Sequence, residues 1–219
     1  MSCLYSLEVG LGKTLFFLFT RLKVNGRENV PRRGAVIVVA NHLSLADPPL
    51  LFFCLGRRVA FMAKEELFYS RLSAFLMRHY NAFPVNRRRL NRQALKKADE
   101  VLAGGQALVM FPEGMRSSQA ALKAAYTGSA LVAVRSQALL LPVGITGTEV
   151  IKGPGWIWHR PRVVINVGLP FYLPEIDGKM GKERLNEFTD LIMRHIAELL
   201  PHKYRGIYSQ TKGRDGTGD

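Results

Sequence analysis

The chain has 219 residues, 47% of them hydrophobic, which is enough for one substantial core, and no proline- or serine-rich linker and no repeat divides it. Cys3 and Cys54 lie outside any CxxC or Cys/His pattern, which excludes a disulfide framework and a cysteine-based metal site and favours a reducing compartment. The formal net charge of +14 indicates a polyanionic partner, but it does not choose among nucleic acid, an anionic membrane surface and a phosphorylated substrate.

The N-terminal segment, residues 1–21, predicts an amphipathic helix that we expect to associate with a membrane. Over residues 4–21 the leucines follow the i, i+3, i+4 spacing of one helix face, and phenylalanines widen it: Leu4, Leu7, Leu11, Leu15, Leu18, Phe16, Phe17 and Phe19. The apolar patch from Leu15 to Phe19 is far shorter than the about 20 residues that span a bilayer. A helix in the membrane interface and a helix that only covers the protein's own core both remain open.

Strand and helix patterns alternate along the rest of the chain. Apolar runs of strand length are Ala35–Ala40, Val59–Ala63, Ala107–Phe111, Leu139–Ile145 and Val163–Val167. Helical patterns cover residues 48–55, 70–80, 90–103, 121–136 and 182–200. This alternation predicts a single α/β domain over residues 22–205, with a largely parallel or mixed sheet covered by helices. The polar, glycine-rich residues 206–219 predict a flexible tail.

The stretch "VVANHLSLADPP" places a histidine at the end of a buried strand. His42 follows that strand, and Asp47 precedes two prolines, which predicts strand, loop and helix with Asp47 at the helix N-cap. Open α/β sheets build their sites at the carboxyl ends of strands. By itself, however, so loose a pattern more often marks only a helix cap and a loop histidine, because it recurs by accident.

Basic residues follow other predicted strands. "FMAKEELF" contains Lys64, "FPEGMRS" contains Arg116, and "NAFPVNRRR" contains three arginines, Arg87 to Arg89. Arginine offers a planar fork that matches phosphate oxygens, and lysine offers a point charge. We therefore expect a phosphorylated substrate at this edge of the sheet, although a solvated charge run accounts for at least two of the three arginines.

Four blocks together resemble a known family. "NHLSLAD", "FPVNR", "FPEGMRS" and "LLPVGI" stand in the order and approximate spacing of the motifs of the glycerolipid acyltransferases with the HxxxxD motif, and are most similar to the bacterial 1-acyl-sn-glycerol-3-phosphate acyltransferases. The resemblance covers roughly residues 15 to 170. It departs from the family at Met115, where the third block usually has threonine.

The resemblance implies roles for individual residues. His42 matches the family's general base, and Asp47 matches the carboxylate that orients it. Positions at or near the acceptor's glycerol phosphate are matched by Lys64, Arg87, Glu113, Gly114 and Arg116. A histidine with an ordinary pKa of about 6.5 suits a base that takes a hydroxyl proton near neutral pH.

The resemblance also implies the reaction. We expect an acyl group to pass from acyl-CoA or acyl-carrier protein to the 2-hydroxyl of 1-acyl-sn-glycerol 3-phosphate (lysophosphatidic acid), giving phosphatidic acid for phospholipid biosynthesis. We expect no metal and no redox cofactor, and a peripheral or monotopic protein at the cytoplasmic face of the membrane. Glycerol 3-phosphate or another lysolipid is an alternative acceptor. The rival class is a basic module that binds anionic lipid or nucleic acid without catalysis; the absence of an RNP-like block or recognition helix disfavours nucleic acid.

A second membrane-associating candidate lies late in the chain. "GPGWIWHRP" holds Trp156 and Trp158 beside basic residues, and tryptophan favours the headgroup region because its ring is apolar and its N–H is polar. A turn packed on the domain is the alternative interpretation, so the N-terminal helix is the stronger candidate.

Overall fold

A mixed sheet of seven strands forms the centre of the computed structural model, which describes residues 3–85, 92–153, 155–175 and 181–209, with side chains from residue 10 onward. The described strands are β1 Arg21–Asn25, β2 Val36–Ala40, β3 Val59–Lys64, β4 Ala82–Val85, β5 Ala107–Met110, β6 Leu139–Thr146 and β7 Arg162–Val167. Their spatial order is β1-β7-β6-β2-β5-β3-β4. Neighbouring strands run parallel except for the antiparallel pair of β6 and β7.

Helices cover both faces of the sheet. The described helices are α1 Cys3–Phe19, α2 Asp47–Cys54, α3 Arg71–His79, α4 Arg92–Ala103, α5 Gly128–Ser136, α6 Trp156–His159 and α7 Lys182–Glu198. On one face, α4, α5 and α7 pack Ala98, Ala130 and Ile192 against a core that includes Leu108 of β5. On the other face, α1 and α2 pack against the opposite side of the same strands. The predicted α/β domain with a mixed, helix-covered sheet is therefore confirmed.

The position of β2 explains its sequence. All five of its residues are completely buried, because β2 lies between β5 and β6 with helices on both faces. A strand buried on both faces reads as a continuous apolar run rather than an alternating one. Its carboxyl end meets those of the parallel strands β3, β5 and β6 at one edge of the sheet, so the residues after Ala40 enter the neighbourhood of three other strand ends.

Two strands were not predicted, and both lie at the edges of the sheet. β1 alternates exposed and half-buried residues, with Lys23 exposed between Leu22 and Val24, and β4 contains Pro84, which is typical of edge strands. The helix predicted over 121–136 is shorter, since α5 begins only at Gly128. Residues 206–208, predicted to be part of a flexible tail, form a 3-10 turn that contacts Leu122, and the predicted tail beyond residue 209 lies outside the described residues.

The N-terminal segment does form a helix, and it packs on the domain along one side. Gly12 of α1 lies so close to the Phe53 ring of α2 that a Cβ would overlap it, and the rings of Phe16 and Phe53 lie 5.9 Å apart. The side chains of Leu11, Leu15, Phe17 and Leu18 remain exposed. Among the described residues, no helix has the length and apolar content needed to cross a bilayer.

Candidate active site

The loop after β2 brings His42 and Asp47 together in a buried pair. Nδ1 of His42 lies 2.8 Å from Oδ2 of Asp47, and both side chains are almost inaccessible to solvent. The same carboxylate oxygen accepts hydrogen bonds from the backbone N–H groups of Leu43 at 2.7 Å and Ser44 at 2.8 Å. The other oxygen accepts a hydrogen bond of 2.6 Å from the Thr148 hydroxyl. The Asp47 carboxylate is thus held by four donors and aimed at the histidine.

The prediction that Asp47 is the N-cap of α2 is wrong. The N-cap residue is Ala46, and no side chain caps the helix. Asp47 is the first residue of α2, and its carboxylate turns back toward the loop instead of toward the free N–H groups of the helix. The Asp47 carboxylate oxygens cannot both cap α2 and orient His42, and the conformation of the loop directs them to His42.

His42 also lines a small cavity. Because Asp47 accepts from Nδ1–H, the neutral imidazole keeps its lone pair on Nε2, the nitrogen that can take a proton. The ring stacks on Phe111 with centroids 4.2 Å apart. A cavity of about 70 Å³ next to it is lined mainly by apolar atoms, including those of Met62, Met110 and Tyr126. A base held in one tautomer beside a small, mostly apolar cavity suits proton abstraction from a hydroxyl.

The Glu113 carboxylate contacts the backbone of His42. Its Oε1 accepts a hydrogen bond from the N–H of His42 at 3.3 Å, and its Oε2 accepts one from the N–H of Lys123 at 3.1 Å. Burial raises the pKa of the Glu113 carboxyl, and the two N–H donors only partly offset that effect. This geometry favours a positioning role, and contact between Glu113 and the acceptor stays a prediction.

The rest of the third block forms a tight turn at the rim of the cavity. Gly114 has φ +67°, and a Cβ there would stand 2.8 Å from the ring of Tyr126, so this position requires glycine on both counts. Met115 and Arg116 are exposed. The N–H of Ser117 then donates to the carbonyl oxygen of His42 at 2.8 Å, which fastens the third block to the first.

The basic residues predicted to bind phosphate are placed unequally. Arg116 is exposed and has no carboxylate partner among the residues that the structure describes. Lys64 ends β3 at the same edge of the sheet, where its ammonium lies 2.7 Å from the Glu66 carboxylate, and both side chains are about half exposed. Arg87 falls within residues 86–91, outside the described residues.

Sequence reasoning missed two residues that support the pair. Thr148, which donates to Asp47, lies in a 3-10 turn after β6. Asn41 clamps β2 to β6: its amide donates to the carbonyl oxygen of Ile145 at 2.8 Å and accepts from the N–H of Ile145 at 2.7 Å. The signal for both was the fourth block, "LLPVGI", whose end and following turn provide these contacts.

Comparisons with known proteins agree with this architecture. The model of a family described as Acyltransferase matches residues 21–146, more than half of the chain. The 1-acyl-sn-glycerol-3-phosphate acyltransferase of Streptococcus pneumoniae is 32% identical over 74% of this chain, which spans only 60% of that protein's length. The corresponding protein of Bacillus subtilis is 26% identical over 85% of this chain and 92% of its own length.

A solved structure gives the same result for the fold. The crystal structure of the 1-acyl-sn-glycerophosphate (LPA) acyltransferase PlsC from Thermotoga maritima superposes with a TM-score of 0.68 and 31% identity, over 89% of this chain and 79% of that one. With the family match over residues 21–146, the chain belongs to the Acyltransferase family.

Proposed function

We propose that the protein transfers an acyl group from a thioester donor, acyl-CoA or acyl-carrier protein, to the 2-hydroxyl of 1-acyl-sn-glycerol 3-phosphate, giving phosphatidic acid. The observation that carries the proposal is the pair of His42 and Asp47 beside the cavity, with the carboxylate fixed by four donors. The names of the relatives from Streptococcus pneumoniae and Bacillus subtilis and of the Thermotoga maritima structure support this choice of acceptor.

The geometry supports direct transfer with His42 as the base. Nε2 takes the proton of the acceptor hydroxyl as its oxygen attacks the thioester carbonyl carbon, and Asp47 stabilises the imidazolium that forms. When the tetrahedral intermediate collapses, the C–S bond breaks and the imidazolium returns the proton to the leaving thiolate. Phe111, stacked on the imidazole, restricts the ring's rotation and its access to water.

The acceptor's phosphate requires cations at the mouth of the site. In this proposal Arg116 is the principal contact, because it is exposed beside the cavity rim and has no carboxylate partner among the described residues. Lys64 and Arg87 add positive charge, Gly114 lets the third block turn tightly, and Glu113 contributes through the His42 backbone. Met115 supplies no hydroxyl, so it cannot donate the hydrogen bond that a threonine at this position could make.

The acceptor is a lipid, and we propose that α1 helps to hold the protein at the cytoplasmic face of the membrane. The exposed side chains of Leu15, Phe17 and Leu18 support this role, whereas Phe16 packs inward on Phe53. Phe19 is half-buried. In the second candidate segment, Trp158 is 87% exposed and Trp156 is half-buried, both in α6, so Trp158 is the better placed of the two to enter a headgroup layer.

A transfer assay with the purified full-length protein tests the proposal. Lysophosphatidic acid and glycerol 3-phosphate compete as acceptors, and acyl-CoA and acyl-carrier protein are supplied in separate reactions. We expect phosphatidic acid as the product and His42→Ala to abolish its formation while the circular dichroism spectrum stays unchanged. Strong residual turnover in His42→Ala would remove His42 as the base, and preferential use of glycerol 3-phosphate would reassign the acceptor.

A further inference from the structure

Helix α3 turns its large apolar side chains toward solvent. Leu72, Phe75 and Leu76 are 71%, 66% and 42% exposed, and they follow the i, i+3, i+4 spacing of a single helix face. The buried residue of this helix is Ala74, on the opposite side. An amphipathic helix of a soluble domain normally turns such a stripe to the core. Here the stripe, called the α3 stripe below and defined as Leu72, Phe75 and Leu76, has no cover within the described residues.

Basic residues border the α3 stripe on one side. Arg71 and Arg78 are seven positions apart, so they lie on one edge of the helix next to Phe75, and both are exposed. The helix carries no acidic residue, and among the described residues neither arginine has a carboxylate partner. In the 3-10 turn before α3, Glu66 is paired with Lys64.

A shallow groove beside the helix combines both kinds of side chain. Its volume is about 380 Å³, and its lining includes Tyr69, Phe75, Arg71 and Arg78. Tyr69 is 76% exposed. Apolar rings flanked by guanidinium groups match the boundary between acyl chains and phosphate headgroups in an anionic bilayer.

The α3 stripe lies on the side of the domain that carries α1. A series of ring contacts joins them: Phe75 to His79 at 6.2 Å, His79 to Tyr80 at 5.6 Å, Tyr80 to Phe53 at 6.4 Å, and Phe53 to Phe16 of α1 at 5.9 Å. The helix also follows β3, in which Met62 lines the cavity beside His42. Ring contacts thus connect the stripe to α1 through Phe53 of α2, and the strand that precedes α3 carries a residue that lines the cavity beside His42.

We propose that α3 is a second membrane-docking element that inserts Leu72, Phe75 and Leu76 into an anionic bilayer while Arg71 and Arg78 contact lipid phosphates. The basic border is what selects a lipid surface, because apolar insertion and phosphate contacts strengthen one another at such a boundary. This inference goes beyond the proposed reaction and does not rest on it, since binding to vesicles requires no turnover.

Vesicle co-sedimentation with full-length variants tests the inference. Leu72→Glu/Phe75→Glu is compared with Leu169→Glu/Ile207→Glu, which replaces apolar residues that are 74% and 65% exposed and adds the same charge. The vesicles contain phosphatidylcholine with about a third of phosphatidylglycerol. Burial of a leucine or phenylalanine side chain changes a partition constant by roughly tenfold to a hundredfold. We expect the α3 variant to bind at least tenfold more weakly than wild type, and the control variant to stay within about twofold.

Two further measurements separate the alternatives. Arg71→Gln/Arg78→Gln should reduce the salt dependence of vesicle binding and keep a salt-resistant part. Equal binding of wild type and the α3 variant, or equal losses in the α3 and control variants, would overturn the inference. So would a change from dimer to monomer in the α3 variant with unchanged vesicle binding, because the stripe would then join two copies of the chain. If the wild-type protein failed to transfer an acyl group to a micellar acceptor, that failure would contradict the proposed reaction and leave the vesicle result intact.

Discussion

Replacement of Asp47 by asparagine should remove a charge and leave the geometry of the site in place. The amide oxygen can take the position of Oδ2, where it accepts from His42, Leu43 and Ser44. The amide nitrogen then faces the Thr148 hydroxyl, which can turn and accept its hydrogen bond. The histidine consequently keeps its tautomer, and the loss is confined to the charge that stabilises the imidazolium.

The size of this loss follows from the distance within the pair. For charge centres about 4 Å apart and an effective dielectric constant of about 20, the attraction between carboxylate and imidazolium is about 4 kcal/mol. The neutral hydrogen bond that asparagine retains is worth about 1 kcal/mol. The remaining loss of about 3 kcal/mol corresponds to roughly a hundredfold in kcat. Asp47→Ala leaves buried N–H groups without an acceptor at about 1 to 3 kcal/mol each, so it should lower both kcat and the melting temperature further.

Steady-state kcat at saturating lysophosphatidic acid and the melting temperature are measured for Asp47→Asn, Asp47→Ala and Asp47→Asn/Thr148→Val. We expect Asp47→Asn to retain the wild-type melting temperature and about a hundredth of its kcat. Adding Thr148→Val should lower kcat further, because the amide nitrogen then lacks its acceptor. A wild-type rate in Asp47→Asn would show that the carboxylate charge does not stabilise the imidazolium. If Thr148→Val had no added effect, the proposed hydrogen bond between the amide nitrogen and the Thr148 hydroxyl would be refuted.

Further predictions concern Arg116, Glu113 and the membrane role of α1. Arg116→Ala should raise the KM for lysophosphatidic acid by roughly tenfold to a hundredfold and that for the acyl donor much less, since a charge-assisted phosphate contact is worth about 1.5 to 3 kcal/mol; an unchanged acceptor KM contradicts this assignment. Glu113→Gln should lower kcat and spare the acceptor KM if Glu113 positions the His42 backbone, whereas a raised KM would indicate acceptor contact. Because burial raises the pKa of Glu113, the wild type should lose thermal stability relative to this variant as the pH rises through that pKa. Phe17→Glu/Leu18→Glu in α1 should weaken the salt-resistant part of vesicle binding, and identical salt curves for variant and wild type would exclude α1 from the membrane.

The central strands were predictable because a strand buried on both faces has a continuous run of apolar residues. β2 and β6 are continuous apolar runs, and the structure places them as the sequence indicated, within one or two residues. β1 and β4 have no such apolar run, since an edge strand exposes about half of its residues and tolerates a proline such as Pro84. The order of the strands, with β7 antiparallel beside β6, depends on contacts between distant segments and has no local signature.

The sequence predicted the site residues that belong to a short motif. It did not predict the contacts that backbone groups from distant parts of the chain make with them. The proximity of His42 and Asp47 followed from five residues of spacing and the motif resemblance. The buried position of Glu113 could not be predicted in this way, because a carboxylate in a motif is usually interpreted as a substrate ligand. Here its two oxygens instead accept hydrogen bonds from backbone N–H groups of two separate segments. The exposure of the α3 stripe could not be predicted either, since its apolar spacing is that of any helix packed on a core.

The fourth block acquires a physical meaning from the contacts at its end. "LLPVGI" contains no titratable residue, yet the backbone of Ile145 in β6 holds Asn41 through two hydrogen bonds, and Thr148 just beyond it holds Asp47. The first of these contacts fixes the end of β2 immediately before His42, and the second fixes the carboxylate that orients the imidazole. A displacement of β6 would therefore move the base and its partner together, so substitutions that loosen this strand should reduce turnover before they unfold the domain.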